Sequence, residues 1–160
     1  MMNDNCCRKQ NRNNIPLACE AARARAGELN SVSEYLYLSI MFADAYPDLS
    51  EYFEKLSMEE MHHHRALGEL ILRLGGDPAE RSTVRNSGKI NLCQDCDSRA
   101  PVAATRALKN NIIDERRAAE NYRRLAMIAE RCGDLSAASL FSKFAADEAR
   151  HAKEQEGMLS

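Results

Sequence analysis

Apolar residues recur every three to four positions along most of this chain, which is the spacing of an amphipathic helix. The pattern starts near Leu17, runs to about Ala45, and resumes after Pro47 as far as Leu74. It returns from Pro101 to Arg131 and again from residue 135 to the C-terminus. The sequence therefore predicts four helices.

The breaks between these helices carry recognisable end signals. Gly75 and Gly133 stand where the second and third helices should end, and glycine favours that position. Asp134 is placed to cap the fourth helix. The segment Asp48-Leu-Ser-Glu51 has the spacing of a capping box, so we expect it to open the second helix.

The helices fall into two close pairs with a long connection between them. Residues 17–160 predict one all-α domain, a four-helix bundle of two antiparallel hairpins joined by a crossover over residues 76–100. Such a crossover would let the second and third helices run parallel. Residues 1–16 are Asn-rich and lack periodicity, so we expect a disordered N-terminal arm.

Composition narrows the choice of partners and compartment. The formal net charge is −2 with both signs interspersed, which argues against a nucleic-acid surface. No apolar run reaches the length of a membrane span, and the N-terminus is too polar for a signal peptide. We therefore expect a cytoplasmic protein without a membrane partner. Its six cysteines are then thiols or metal ligands; the pairs Cys6/Cys7 and Cys93/Cys96 have no assigned role.

Three of the four histidines follow a glutamate by three residues, in the pairs Glu59/His62, Glu60/His63 and Glu148/His151. Residues i and i+3 share one face of a helix, so such a pair can hold a metal ion from one side. One Glu-x-x-His alone is weak evidence. Its recurrence in both hairpins is a much stronger indication.

Hydrophobic patterning decides which of these pairs points into the core. The stripe through Glu60 is apolar apart from the two candidate ligands: Leu56, Glu60, His63, Leu67, Leu70 and Leu74. The stripe through Glu59 carries charges and reads as a solvated face, and His62 and His64 are expected to be exposed. The fourth helix presents Phe141, Phe144, Glu148 and His151, with Gln155 as a polar exception.

Each inward pair needs a carboxylate from its hairpin partner at the same height. Residues equidistant from a tight turn meet, which places Glu115 opposite Glu148 and either Glu28 or Glu34 opposite Glu60. An internal repeat selects Glu28, because Glu28 to Glu60 spans 32 residues and Glu115 to Glu148 spans 33. In both hairpins a tyrosine follows seven residues after the first glutamate: Tyr35 and Tyr122.

The sequence thus predicts two metal ions held by four glutamates and two histidines: Glu28, Glu60, His63, Glu115, Glu148 and His151. Mixed carboxylate and imidazole ligands point to redox-active iron or manganese, since both accept this ligand set. Glu59 and Asp147 are either solvated acids or acceptors for the outer ring nitrogen of the histidine on the opposite hairpin. Tyr35 and Tyr122 are core residues that can hydrogen-bond a ligand carboxylate.

These motifs resemble those of the ferritin-like superfamily, especially bacterioferritins and rubrerythrins. The stretch from Ser57 to Pro78 is similar to the second helix of a bacterioferritin, Glu28–Tyr35 to its first and Asp147–His151 to its fourth. The resemblance places the family's ligand pattern on the same six residues. The chain departs from rubrerythrins at Ala118, where they carry a further glutamate, and its end nine residues after His151 weakens a storage-shell reading.

The resemblance implies a non-haem di-iron oxidoreductase that oxidises Fe(II) with O₂ or hydrogen peroxide, as a ferroxidase or a rubrerythrin-like peroxidase. Its electron donor is unknown. The alternatives are a di-manganese catalase-like enzyme and a non-catalytic metal-binding or coat protein. Because members of the family pair along their first two helices, we also expect a homodimer.

Overall fold

The computed structural model describes residues 15–79 and 100–159. These residues form four helices and no strand: α1 (Ile15–Phe42), α2 (Pro47–Arg73), α3 (Ala100–Arg131) and α4 (Leu135–Gly157). The predicted all-α four-helix bundle is confirmed. No helix in the described ranges has the length and apolar character needed to cross a membrane. Most of the predicted arm and crossover, with Cys6, Cys7, Cys93 and Cys96, lies outside the described residues.

The helices pack as two antiparallel hairpins, α1 with α2 and α3 with α4. At one end of the bundle the Arg25 side chain of α1 donates a hydrogen bond to the carbonyl oxygen of Pro78, just after α2. At the other end Ala104, near the start of α3, packs in a cluster with Phe42. Helices α2 and α3 therefore run parallel, as predicted.

Two apolar clusters fill the ends of the bundle. The larger one joins all four helices where α2 ends, and includes Leu17, Leu67, Leu125 and Phe141. The smaller one lies near the α1–α2 turn, and includes Tyr35, Phe42, Phe53 and Leu108. Buried acids and histidines occupy the layer between them.

Most of the predicted helix ends are confirmed, and one start is not. Gly75 and Gly133 adopt positive φ angles of 82° and 78° directly after their helices. The Asp134 carboxylate accepts a hydrogen bond of 3.0 Å from the Ala137 amide as an N-cap. The capping box at Asp48 was wrong. Tyr46 takes the N-cap position without a side-chain hydrogen bond. Pro47 fits the first helical turn, so α2 begins before Asp48.

Candidate metal centre

The structure brings all six predicted ligand residues together in the middle layer of the bundle. Each side chain belongs to a residue that is at most 5% exposed: Glu28, Glu60, His63, Glu115, Glu148 and His151. Helices α1 and α3 contribute one glutamate each, and α2 and α4 contribute one Glu-x-x-His pair each. Glu34, the alternative to Glu28, lies on the exposed side of α1.

These residues form two overlapping groups, each able to hold a metal ion. One group contains Glu28, Glu60, His63 and Glu148, and the other Glu60, Glu115, Glu148 and His151. Within each group, one ligand atom per residue lies within 4.8 Å of the others. Since Glu60 and Glu148 belong to both groups, two adjacent metal ions would share these two carboxylates.

The two histidines occupy equivalent positions on opposite sides of these shared carboxylates. The Nδ1 atom of His63 lies 3.1 Å from Glu148 and 3.4 Å from Glu60. The Nδ1 atom of His151 lies 3.1 Å from Glu148 and 3.3 Å from Glu60. Each ring therefore directs Nδ1 inward, and the outer carboxylates Glu28 and Glu115 each lie 3.7 Å from the nearer Nδ1.

The outer ring nitrogens face acids from the opposite hairpin. The Nε2 atom of His63 lies 3.2 Å from Asp147, and that of His151 lies 3.0 Å from Glu59. An acid at Nε2 accepts the ring proton there and leaves Nδ1 free to bind a metal ion. The sequence allowed Glu59 and Asp147 to be either solvated acids or partners of the histidines, and in the structure both lie beside a histidine.

Arg150 also reaches this part of the centre, and sequence reasoning gave it no role. Its guanidinium contacts the Glu59 carboxylate and donates a 3.0 Å hydrogen bond to Glu154. Neighbouring positions on a helix point in different directions, so the position directly before His151 read as solvent-facing. The length of the arginine side chain was the overlooked signal. Its aliphatic part can lie along a helix and bring the guanidinium to a neighbouring face.

The two repeat-related tyrosines fix the outer carboxylates. The Tyr35 hydroxyl on α1 donates a hydrogen bond to Glu115 on α3, and the Tyr122 hydroxyl on α3 donates one to Glu28 on α1. Burial and the neighbouring glutamates raise the pKa of both hydroxyls, so both stay protonated donors. The hydrogen bonds cross between hairpins and tie α1 to α3 at the height of the centre.

In the absence of metal, protons balance the charge of the buried acids. Burial raises the pKa of Glu28 well above its usual range and that of Glu115 to about 8. Burial would do the same to Glu60 and Glu148, but hydrogen bonds with Glu28 and the two histidines lower the pKa of Glu60, and hydrogen bonds with the two histidines lower that of Glu148. These shifts favour the protonated form of Glu28 and Glu115 and the ionised form of Glu60 and Glu148.

The histidines carry the matching positive charge. Burial opposes their protonation, yet contacts with the surrounding glutamates outweigh it and raise the pKa of His63 to about 12. The pKa of His151 is raised in the same way, chiefly by Glu115, Glu148 and Glu60. Two imidazolium ions therefore face two carboxylates, and divalent cations can replace these protons.

Several ligand atoms of the centre have no hydrogen-bond partner among the described residues. They are Glu60 Oε1, His63 Nδ1 and Glu148 Oε1. The last two lie 3.1 Å from each other and Glu60 Oε1 lies 3.3 Å from His151 Nδ1, but neither contact has hydrogen-bond geometry. Buried atoms of this kind are normally satisfied by a partner, and here all three belong to the groups that could hold a metal ion. The donor set of oxygens and imidazole nitrogens fits two divalent transition-metal ions.

An opening between α1 and α3 connects the centre to the surface. A cavity of about 470 Å³ reaches Glu28 and Glu115 and is lined by the small residues Gly27, Ser31 and Ala118. The wider rim carries both signs of charge: Glu20, Arg23, Asp114 and Arg124. Ions and small molecules can therefore reach the carboxylates without the helices separating.

Of the two histidines expected to be exposed, only His62 is. His64 is half-buried, and its Nδ1 atom lies 2.9 Å from the carbonyl oxygen of Arg25. The expectation for His64 was wrong because a long-range contact with α1 covers a position that the pattern of α2 leaves on the surface. Neither residue joins the two ligand groups.

Comparison with known proteins agrees with this architecture. A family model for the ferritin-like domain matches residues 22–160, whereas no curated protein matches the chain. The bacterioferritin of Desulfovibrio desulfuricans, whose structure shows a diiron site in different catalytic states, is 24% identical with a TM-score of 0.74. That alignment covers 91% of this chain and 79% of the bacterioferritin.

The bacterioferritin of Rhodobacter capsulatus is similar as well. It is 19% identical with a TM-score of 0.73, over 91% of this chain and 84% of the other. Its structure has a metal-free dinuclear site and haem iron. At this level of identity, the two structures show that the fold is shared.

We expect Asp147→Ala and Glu59→Ala each to weaken binding of divalent metal about 10- to 100-fold, because each removes the acid that orients a ligand histidine. Anaerobic titration of Fe(II) against a competing chelator measures the affinity. Glu69→Ala is the matched control, since Glu69 is an exposed acid of α2 paired only with Arg65 among the described contacts. Affinities equal to that of the control would contradict the orienting role.

Metal binding should release protons, up to four per chain from two carboxyl groups and two imidazolium ions. Since protons compete with metal, affinity should rise with pH, and the Glu115 contribution should level off above its pKa of about 8. Calorimetric titration in buffers of different ionisation enthalpy counts the protons. A constant affinity between about pH 6 and 8 would contradict this charge balance.

Proposed function

Because the chain belongs to the ferritin-like domain family, we propose that it is a non-haem di-iron oxidoreductase. It binds two iron ions in the candidate metal centre and oxidises Fe(II) with hydrogen peroxide or O₂. A ferroxidase and a rubrerythrin-like peroxidase share this reaction and differ in what returns electrons to the centre.

The observation that carries the proposal is the sharing of Glu60 and Glu148 between two four-residue ligand groups. Two metal positions with bridging carboxylates allow both ions to act on one small oxidant. The carboxylates and imidazoles accept iron in both oxidation states. The D. desulfuricans bacterioferritin has a diiron site on the same fold, which supports iron over manganese.

Each part of the surrounding structure has a task in this reaction. When bound, two Fe(II) ions supply one electron each, so that one hydrogen peroxide and two protons give two Fe(III) ions and two water molecules. Asp147 and Glu59 hold the histidine rings in the ligand orientation. Tyr35 and Tyr122 hold the outer carboxylates, and the apolar clusters on either side keep bulk water away.

Protein produced without added metal should contain about two iron ions per chain, and the double variant Glu60→Ala, Glu148→Ala should contain almost none. Plasma mass spectrometry measures the content, and stopped-flow absorbance follows Fe(II) oxidation. Glu69→Ala with Glu120→Ala removes two exposed acids instead and should keep both metal and activity.

Other results would favour a different function or refute the proposal. Two manganese ions with peroxide disproportionation would favour the catalase-like enzyme, and bound iron without turnover would favour a metal-binding protein. Metal near zero in the wild-type protein, even after loading with Fe(II), would refute the di-iron function.

We also propose that the protein is a homodimer that pairs through the outer face of its first hairpin. That face carries exposed apolar side chains from both helices: Leu29, Leu36, Tyr37, Ile40 and Met41 of α1, and Met58, Met61 and Leu72 of α2. Grouped apolar side chains on a surface mark interaction sites, because isolated ones are normal but patches are not.

Ile40→Glu should convert the dimer into a monomer, because a charge would be buried in the apolar contact. Leu135→Glu is the control, since Leu135 is 73% exposed and Ile40 is 75% exposed, but Leu135 lies on the second hairpin. Size-exclusion chromatography with light scattering gives the mass. A wild-type monomer, or a large shell, would overturn the proposal.

A further inference from the structure

Two buried amides lie one helical turn from the candidate metal centre. Gln155 is 0% exposed and follows His151 by four residues, and Asn111 is 2% exposed and precedes Glu115 by four. Helices α3 and α4 are antiparallel and bring His151 Nδ1 within 3.7 Å of Glu115. Residues four apart share a helix face, so Asn111 and Gln155 occupy the next layer at a common height.

The amides of this layer are not fully satisfied by hydrogen bonds from the protein. Among the described residues, Asn111 Nδ2 has no hydrogen-bond partner, and the Gln155 amide, although it lies against the Tyr52 hydroxyl, has none with normal hydrogen-bond geometry. Burying an unpaired amide costs free energy, and native proteins satisfy such groups with a partner or with an ordered water. The layer therefore fits an occupant that both donates and accepts hydrogen bonds.

The internal repeat shows that helix packing does not require amides at this depth. Glu28 and Glu115 are 87 residues apart, and the same offset relates Asn111 to Ala24. His63 and His151 are 88 residues apart, and that offset relates Gln155 to Leu67. Ala24 and Leu67 are buried in the apolar cluster on the other side of the centre. The polar layer is thus specific to one side.

A cavity lies beyond the amide layer at the end of the bundle. Its volume is about 750 Å³, and its lining includes Leu49, Leu108 and Met158. Leu108 and Met158 are three residues beyond Asn111 and Gln155, so the cavity lies about one turn further from the centre. Tyr52 stands at the same layer as the amides, with its hydroxyl 3.5 Å from the carbonyl oxygen of His151.

We propose that Asn111 and Gln155 form a binding site for a small neutral hydroxylic molecule beside the metal centre. Water occupies it in the resting protein, and hydrogen peroxide occupies it on the way to the centre. Primary amides offer both donors and acceptors, which both molecules can use. O₂ forms no such hydrogen bonds, so its access does not depend on the amides. The peroxide role rests on the proposed di-iron function, whereas the water site does not.

The double variant Asn111→Ala, Gln155→Leu gives this layer the residues of the first hairpin and tests the site. We expect the rate of Fe(II) oxidation at low peroxide concentration to fall about tenfold, the effect of losing one net hydrogen bond. The rate with O₂ and the iron content should not change. The melting temperature of the metal-free protein should stay the same or rise, because apolar side chains replace buried amides that hydrogen-bond chiefly to the water of the site. Leu67→Met is the control and should leave both rates unchanged.

A purely structural role for the amides would give a different result. The double variant would then melt several degrees lower and slow both oxidants equally, and this outcome would overturn the proposal. A high-resolution crystal structure of the wild-type protein without ordered water at both amides would overturn it as well. Failure of the di-iron function is distinguishable, because wild-type protein would then oxidise no Fe(II) with either oxidant. The peroxide role would be refuted in that case. The ordered water in the crystal structure and the melting temperature of the double variant would still test the binding site.

Discussion

The burial of four carboxylates and two imidazoles in one layer of the bundle is the constraint on which the rest of the structure depends. Each ion taken from water into a helical core costs several kcal/mol unless it is compensated. The compensation comes from across the bundle: Tyr35 reaches Glu115, Tyr122 reaches Glu28, and Asp147 reaches His63. Because the outer acids Glu28 and Glu115 receive their hydrogen bonds from the opposite hairpin, each hairpin contributes to the burial of the other's acids. The centre is therefore also what joins the two halves.

The contacts that join the two hairpins follow the internal repeat. Positions that break the repeat show where the two hairpins differ. The ligands, the tyrosines and the acids beside the histidines all have counterparts at offsets of 87 or 88 residues. Arg150 stands where the first hairpin has His62, and its guanidinium contacts Glu59 and lies 3.9 Å from Asp147 and 3.2 Å from His151 Nε2. The two metal positions therefore have similar ligands but different surroundings, with an added positive charge near His151.

The sequence predicted the fold and the six clustered residues because helical geometry fixes the relations that matter. The i to i+3 spacing aligned each Glu-x-x-His pair, and equal distances from a turn placed Glu115 opposite Glu148. Contacts between side chains of different helices were harder to predict from the sequence. The roles of Arg150 and His64 depend on how far a side chain reaches across a neighbouring helix. The start of α2 depended on competition between Asp48 and Pro47. The N-terminal arm and the cytoplasmic location stay predictions.

The surroundings of the centre differ in charge as well as in shape. The opening between α1 and α3 has a charged rim and leads to Glu28 and Glu115, so a hydrated cation meets carboxylate oxygens along its path. The layer of Asn111 and Gln155 is uncharged, and the cavity beyond it is lined by apolar side chains together with the charged Asp48 and Lys109. Crossing the uncharged layer would cost a cation its hydration, whereas a neutral molecule bears little of that cost. The binding site proposed at the amides therefore suits a neutral oxidant, and the carboxylates at the opening between α1 and α3 suit metal ions.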